Sequence, residues 1–95
     1  MTSTRDTIRE AASDLGWVAL DNIDRYVDIY RTEPYSVMVH FTRDGMVIDA
    51  SLFTDAPDAR QKLPPRIVRS VGKFDANKQR RIRSWLYDFK RAATA

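Results

Sequence analysis

The sequence predicts an α+β fold: an N-terminal helix, a three-stranded antiparallel β-meander and a basic C-terminal helix, with both helices on one face of the sheet. Three observations predict it. Apolar residues recur at helical spacing near both ends of the chain. They alternate with period two across its middle. Asp44-Gly45 stands between two such alternating runs, the strongest short hairpin signal a sequence offers.

The elements follow in order. Ser3 or Thr4 suits an N-cap, and Asp6 lies in the first turn near the positive end of the helix dipole. Ile8, Ala11, Ala12 and Leu15 repeat at helical spacing, and Gly16 ends the helix, which spans 1–16. Trp17–Leu20 is expected to be extended and buried, ahead of a turn at Asp21-Asn22. The meander spans 25–53. A two-residue turn pairs Arg43 with Met46, which sets Phe41 opposite Ile48, Val39 opposite Ala50 and Val37 opposite Leu52 on one apolar face. Placing Val27 and Ile29 on that face pairs them with Val39 and Val37. Thr32-Glu33-Pro34 is then the connection.

Residues 54–74 read as a linker rich in proline and aspartate, within which Arg66–Val71 is either a short strand or a helical turn. Asp75 is the expected N-cap of a helix over 75–91. Its residues Ile82, Trp85, Leu86 and Phe89 form one apolar stripe for the sheet. The expected core is Ile8, Leu15, Val27, Ile29, Val37, Val39, Phe41, Ile48, Leu52, Ile82, Trp85, Leu86 and Phe89. All of this fits one domain over residues 1–95.

Composition narrows the function. Hydrophobic residues make up 43% of the chain and aromatic ones 11%, enough to fold. No run approaches the ~18 apolar residues of a membrane span. The opening residues Met1–Asp6 show no apolar core of a secretory signal, so a cytoplasmic protein is expected. Cysteine is missing and histidine occurs once, as His40. Disulfides, thiolate nucleophiles and multi-histidine metal sites are thereby excluded within one chain. Enzyme is the least expected class, and no cofactor is expected.

Charge is the most informative feature. The net +3 divides into −6 over residues 1–59, with five arginines against eleven carboxylates, and +9 over residues 60–95, with eleven cations against Asp75 and Asp88. Such asymmetry points to nucleic acid, an acidic partner or a membrane surface. Arg80, Arg83, Tyr87 and Arg91 fall opposite the apolar stripe of the last helix, with Lys90 beside them. Lys73, Lys78 and Arg81 add charge around its start. Guanidinium groups with an interleaved tyrosine suit phosphate contact and base stacking. The alternative is an ordinary solvated face, but such faces usually mix signs to form pairs three or four residues apart.

Two further constellations are weaker. The expected register aligns Tyr26, His40 and Asp49 as a cross-strand row. That arrangement holds a histidine for acid–base work or is simply a polar cross-strand pair, the favoured reading since no nucleophile or anion loop accompanies it. Tyr26, Tyr30, Met38 and Phe53 make the outer sheet face apolar. Either Trp17–Leu20 or Arg66–Val71 covers it, or it is a partner or homodimer surface. Asp21, Asp24 and Asp28 fit no calcium loop and read as solvated turn acids.

Two resemblances follow from these residues. The opening helix ending in Leu15-Gly16-Trp17, a tyrosine-led strand, the Val37-to-Leu52 hairpin and a late basic helix with Ser84-Trp85-Leu86 resemble small proteins of actinobacterial phages. Arginine and aspartate also outnumber lysine and glutamate, as in GC-rich genomes. That resemblance implies a bacterial host cytoplasm, with DNA or a host protein as partner, and no activity. The order helix, three strands, helix resembles double-stranded-RNA-binding domains. Lys78, Arg80 and Arg81 stand where that family places basic residues. The link from Phe53 to Asp75 is longer than that family uses, and Thr32-Glu33-Pro34 replaces its histidine-containing loop. The expected function is therefore a small binding protein that contacts DNA or RNA through its last helix. The alternative is a protein-interaction module.

Overall fold

Ser3 starts the first helix: its hydroxyl accepts from the Asp6 N–H at 3.1 Å, satisfying one of the donors a helix N-terminus leaves open. In the computed structural model, which describes residues 3–21, 24–55 and 66–94, this helix, α1, spans Thr4–Asp14. It stops in a Schellman arrangement. Gly16, at φ 86°, donates to the Ser13 carbonyl, and Trp17 donates to that of Ala12. The strands are β1 (Val18–Leu20), β2 (Val27–Thr32), β3 (Tyr35–Phe41), β4 (Val47–Thr54) and β5 (Arg66–Val71), followed by α2 (Lys78–Thr94). Asn22 of the expected turn and residues 56–65 of the expected linker lie outside the described residues.

The α+β arrangement is as expected, but the sheet has five strands rather than three, antiparallel and in sequence order. A three-stranded meander leaves two rows of unpaired backbone groups at its edges. Val18–Leu20 satisfies one against β2, and Arg66–Val71 satisfies the other against β4. Neither segment covers the outer face. Trp17 is buried as expected, but Val18, Ala19 and Leu20 are exposed.

The β3–β4 hairpin keeps the expected pairs Val37 with Leu52 and Val39 with Ala50. Its loop is one residue longer than expected. Thr42 donates to the Met46 carbonyl, and Gly45 takes φ 83° and donates back to Thr42. This is the three-residue loop with glycine in the left-handed position. A bulge after His40 absorbs the extra residue, so Phe41 pairs with Val47 rather than Ile48. The turn also meets α1, where Arg5 N–H donates to the Gly45 carbonyl at 3.1 Å.

β2 corrects the expected register by one residue. Thr32 pairs with Tyr35 across a two-residue connection, so Tyr30 faces Val37 and Ile29 faces Met38. A one-residue shift exchanges the two faces of a strand. Tyr30 is therefore core at 1% exposure, and Val27 and Ile29 are half-buried on the outer face. The exchange is favoured because the polar groups turned inward find partners: the Tyr30 hydroxyl donates to Asp28, and Asp28 accepts from Arg5 and Arg9.

Both helices lie on the face formed by Tyr30, Val37, Val39, Phe41, Ala50, Leu52 and Val71. Ile8 and Ala12 enter it from α1, and Ile82, Trp85 and Leu86 from α2. A fully buried side chain of this size contributes roughly 1.5–3 kcal/mol. Trp17 joins the layers, its indole N–H donating to the Leu86 carbonyl at 2.9 Å. Leu15 and Phe89 pack at the margin, and Phe89 meets Tyr35 edge-on at 5.0 Å. Ile48, expected in the core, is half-buried beside the bulge.

Candidate nucleic-acid interface

The α2 stripe commits one side of the helix to the core and thereby turns Arg80, Arg81, Arg83, Tyr87 and Arg91 to solvent. The helix begins three residues later than expected. Asp75 does not cap it: its carboxylate accepts from the Gly72 N–H at 2.7 Å and its own N–H donates to the Gly72 carbonyl, closing a tight turn. Asn77 occupies the cap position at φ 58°, and its carbonyl accepts from the Arg81 N–H. The first turn of α2 contains no acidic residue. Cations there oppose the helix dipole, so helix stability does not account for them.

Three arginines of the acidic part of the chain are paired, whereas Arg25 and Arg43 are exposed without an ion pair among the described residues. Arg5 and Arg9 pair with Asp28, and Arg31 pairs with Asp55 at 2.6 Å. Among the described residues, none of Lys73, Lys78, Arg80, Arg81, Arg83 or Arg91 lies within 4.0 Å of a carboxylate oxygen. The one carboxylate on α2, Asp88, accepts from Ser84 at 3.3 Å. Among the described residues, the basic third of the chain therefore forms no ion pair with the acidic remainder.

Arg80 and Arg83 stand between two surface grooves. One is an open hollow of about 620 Å³ reaching from the α2 start to Thr4 and Met46. The other runs along the junction of α1 and α2, past Ala11, Asp14 and Leu15. Tyr87 is 52% exposed, and the Arg91 guanidinium lies 5.8 Å from its ring centre.

Two expected members stand apart. Lys90 is half-buried, and its ammonium donates to Thr32 Oγ1 at 3.0 Å and to the Gly16 carbonyl at 3.5 Å. It ties α2 to the end of α1 and to β2. Lys78 is half-buried and lines the larger hollow. Phe74 has the opposite character: it is 94% exposed beside Lys73 and belongs to no apolar stripe, so periodicity does not mark it. An aromatic between Gly72-Lys73 and Asp75, outside any repeat, is the signal that marks it.

The other constellations rearrange with the β2 register. Val27, not Tyr26, lies opposite His40, and Tyr26 lies before the strand, its carbonyl accepting from Phe41 N–H. His40 Nδ1 is 3.8 Å from Asp49 Oδ2, with both side chains about half exposed. Of the expected partner surface, Tyr30 is core while Met38 and Phe53 remain on the outer face. There they join Val18, Leu20, Ile29 and Ile67 in an apolar strip, bordered by the Arg31–Asp55 pair. No group of three or more acidic or histidine side chains suited to a metal occurs among the described residues, and no described helix is long and apolar enough to cross a membrane. No family model, curated protein or solved structure matches the chain.

Proposed function

We propose that the protein is a small non-catalytic nucleic-acid-binding protein whose contacts are made by the solvent side of α2. Arg80, Arg81, Arg83 and Arg91 contact phosphates, and Tyr87 offers a ring beside them. The observation that carries this reading is the clustering on the solvent side of one helix of four exposed arginines, none with a carboxylate partner among the described residues. Charges left unpaired on one face are what a polyanion neutralises on binding. The resemblance to small phage proteins supplies the setting: a phage-encoded factor in a bacterial cytoplasm. The test is Arg80→Glu with Arg83→Glu, assayed by fluorescence anisotropy against labelled DNA and RNA. Binding is lost while the circular-dichroism spectrum and Tm are retained; binding that persists overturns the assignment.

A second reading rests on the bare outer face. Met38, Ile67, Val18 and Leu20 are exposed and, with half-buried Phe53, form an apolar strip that nothing among the described residues covers. A second copy of this chain is its proposed partner, since the strip carries both signs of charge, with the Arg31–Asp55 pair towards one end of the strands and the Asp49 carboxylate towards the other. Sedimentation velocity across a concentration series tests it: a monomer throughout removes this reading and leaves the first intact.

A further inference from the structure

We propose that Phe74 is a base-stacking platform and that the polymer bound is single-stranded nucleic acid, an inference that rests on the phosphate-binding reading of α2. Phe74 is 94% exposed, the most exposed large apolar side chain among the described residues. It is not on a fraying end. The Gly72–Asp75 turn that carries it is closed by two hydrogen bonds, at 3.1 and 2.7 Å. The ring is thus presented on a fixed backbone, with the Lys73 ammonium 5.8 Å from its centre.

Its surroundings select the ligand. Lys73 in the turn and Lys78, Arg80 and Arg81 shortly after it in the chain have no ion-pair partners among the described residues, and the one carboxylate of the turn, Asp75, accepts from the Gly72 N–H through one oxygen. An apolar protein surface or a lipid tail offers nothing to these cations, whereas a polyanion with exposed π-faces satisfies both them and the ring. A duplex covers its base faces by internal stacking. An unpaired strand leaves them open to an aromatic side chain and supplies phosphates to the cations alongside. Tyr87 provides a second exposed ring about 13 Å of helix rise beyond Lys78.

The experiment titrates the full chain against labelled oligo(dT), oligo(rU) and a duplex of the same length, at two salt concentrations. The wild type binds a single strand about tenfold more tightly than duplex, and the two single-stranded probes decide between DNA and RNA. Phe74→Ala weakens single-strand binding roughly tenfold with no change in its salt slope, because stacking releases no counterions. Phe74→Trp restores affinity, and the exposed indole emission is quenched on binding. Circular dichroism establishes that both variants are folded. If Phe74→Ala binds as the wild type does, or duplex is bound equally well, the stacking assignment is wrong; loss of binding in Arg80→Glu with Arg83→Glu would then leave the arginine reading standing. No binding to any probe by the wild type overturns both.

Discussion

Arg5 grips Asp28 with two hydrogen bonds, Nη2 to Oδ1 at 2.6 Å and Nε to Oδ2 at 3.2 Å, joining the first turn of α1 to the inward face of β2. Tyr30 donates to the same carboxylate at 2.9 Å, and Arg9 approaches both oxygens at 3.4 Å. The Asp28 side chain is only 12% exposed, so its charge depends on these donors. Asp28→Asn should lower the unfolding free energy by about 2 kcal/mol and Tm by roughly 10 °C. Thermal denaturation followed by circular dichroism checks it, and an unchanged Tm would contradict the role assigned to the cluster.

The same cluster couples stability to pH at both ends of the range. Burial pushes the Asp28 carboxyl up, but hydrogen bonds from Arg5 and Tyr30, with the charges of Arg5 and Arg9, outweigh it and hold the group below its ordinary value of 3.8. A depressed carboxyl contributes stability above that value and loses it as pH falls through the folded-state value. Tyr30 is raised above its ordinary 10.0, by burial first and then by the charge of Asp28 and its hydrogen bond to it. Its contribution is present below 10 and is lost as pH rises beyond that. Denaturant midpoints should hold between these limits and fall outside them. Asp28→Asn should flatten the acid limb and Tyr30→Phe the alkaline one; limbs unchanged in both variants would place the titrating groups elsewhere.

How much of this was legible follows from where each partner lies in the chain. Val37 and Val39 face Leu52 and Ala50 across a short hairpin, and the apolar alternation on both strands admits one register. The stripe Ile82, Trp85, Leu86 was readable for the same reason, since its period is local. β2 was not, because Val27/Ile29 and Asp28/Tyr30 are both plausible inward sets. What decides between them is Arg5 and Arg9, 23 and 19 residues from Asp28, which no local pattern connects to it. At the candidate site, helical geometry found Arg80, Arg83, Tyr87 and Arg91. It could not separate Lys90, whose acceptor Thr32 lies 58 residues away.

Lys90 provides a direct contrast with its neighbours. Lys90→Met removes the bonds to Thr32 and Gly16 and should cost about 0.5–1 kcal/mol of stability, while oligonucleotide affinity shifts less than twofold. Arg83→Met should do the reverse, weakening binding several-fold with Tm retained. Parallel melting and anisotropy measurements check the pair. Equal effects on binding would return Lys90 to the interface.

Trp17 carries the α1–β1 junction onto α2. Trp17→Phe keeps an aromatic ring in the core but deletes the donor to the Leu86 carbonyl, and should destabilise the fold by about 1–2 kcal/mol. Urea denaturation gives the number, and a midpoint equal to the wild type would show that the buried hydrogen bond contributes nothing net.

The central claim is that α2 presents unpaired arginines to a polyanion. The most direct measurement is an anisotropy titration of the wild-type chain with a labelled oligonucleotide across a salt series. Tight binding is expected at low salt, with a log–log slope on a single strand of about −3 from roughly four phosphates neutralised by Arg80, Arg81, Arg83 and Arg91, steepening to about −4 where Lys73 and Lys78 add two more. Failure to bind at low salt, or binding indifferent to salt, would contradict the claim.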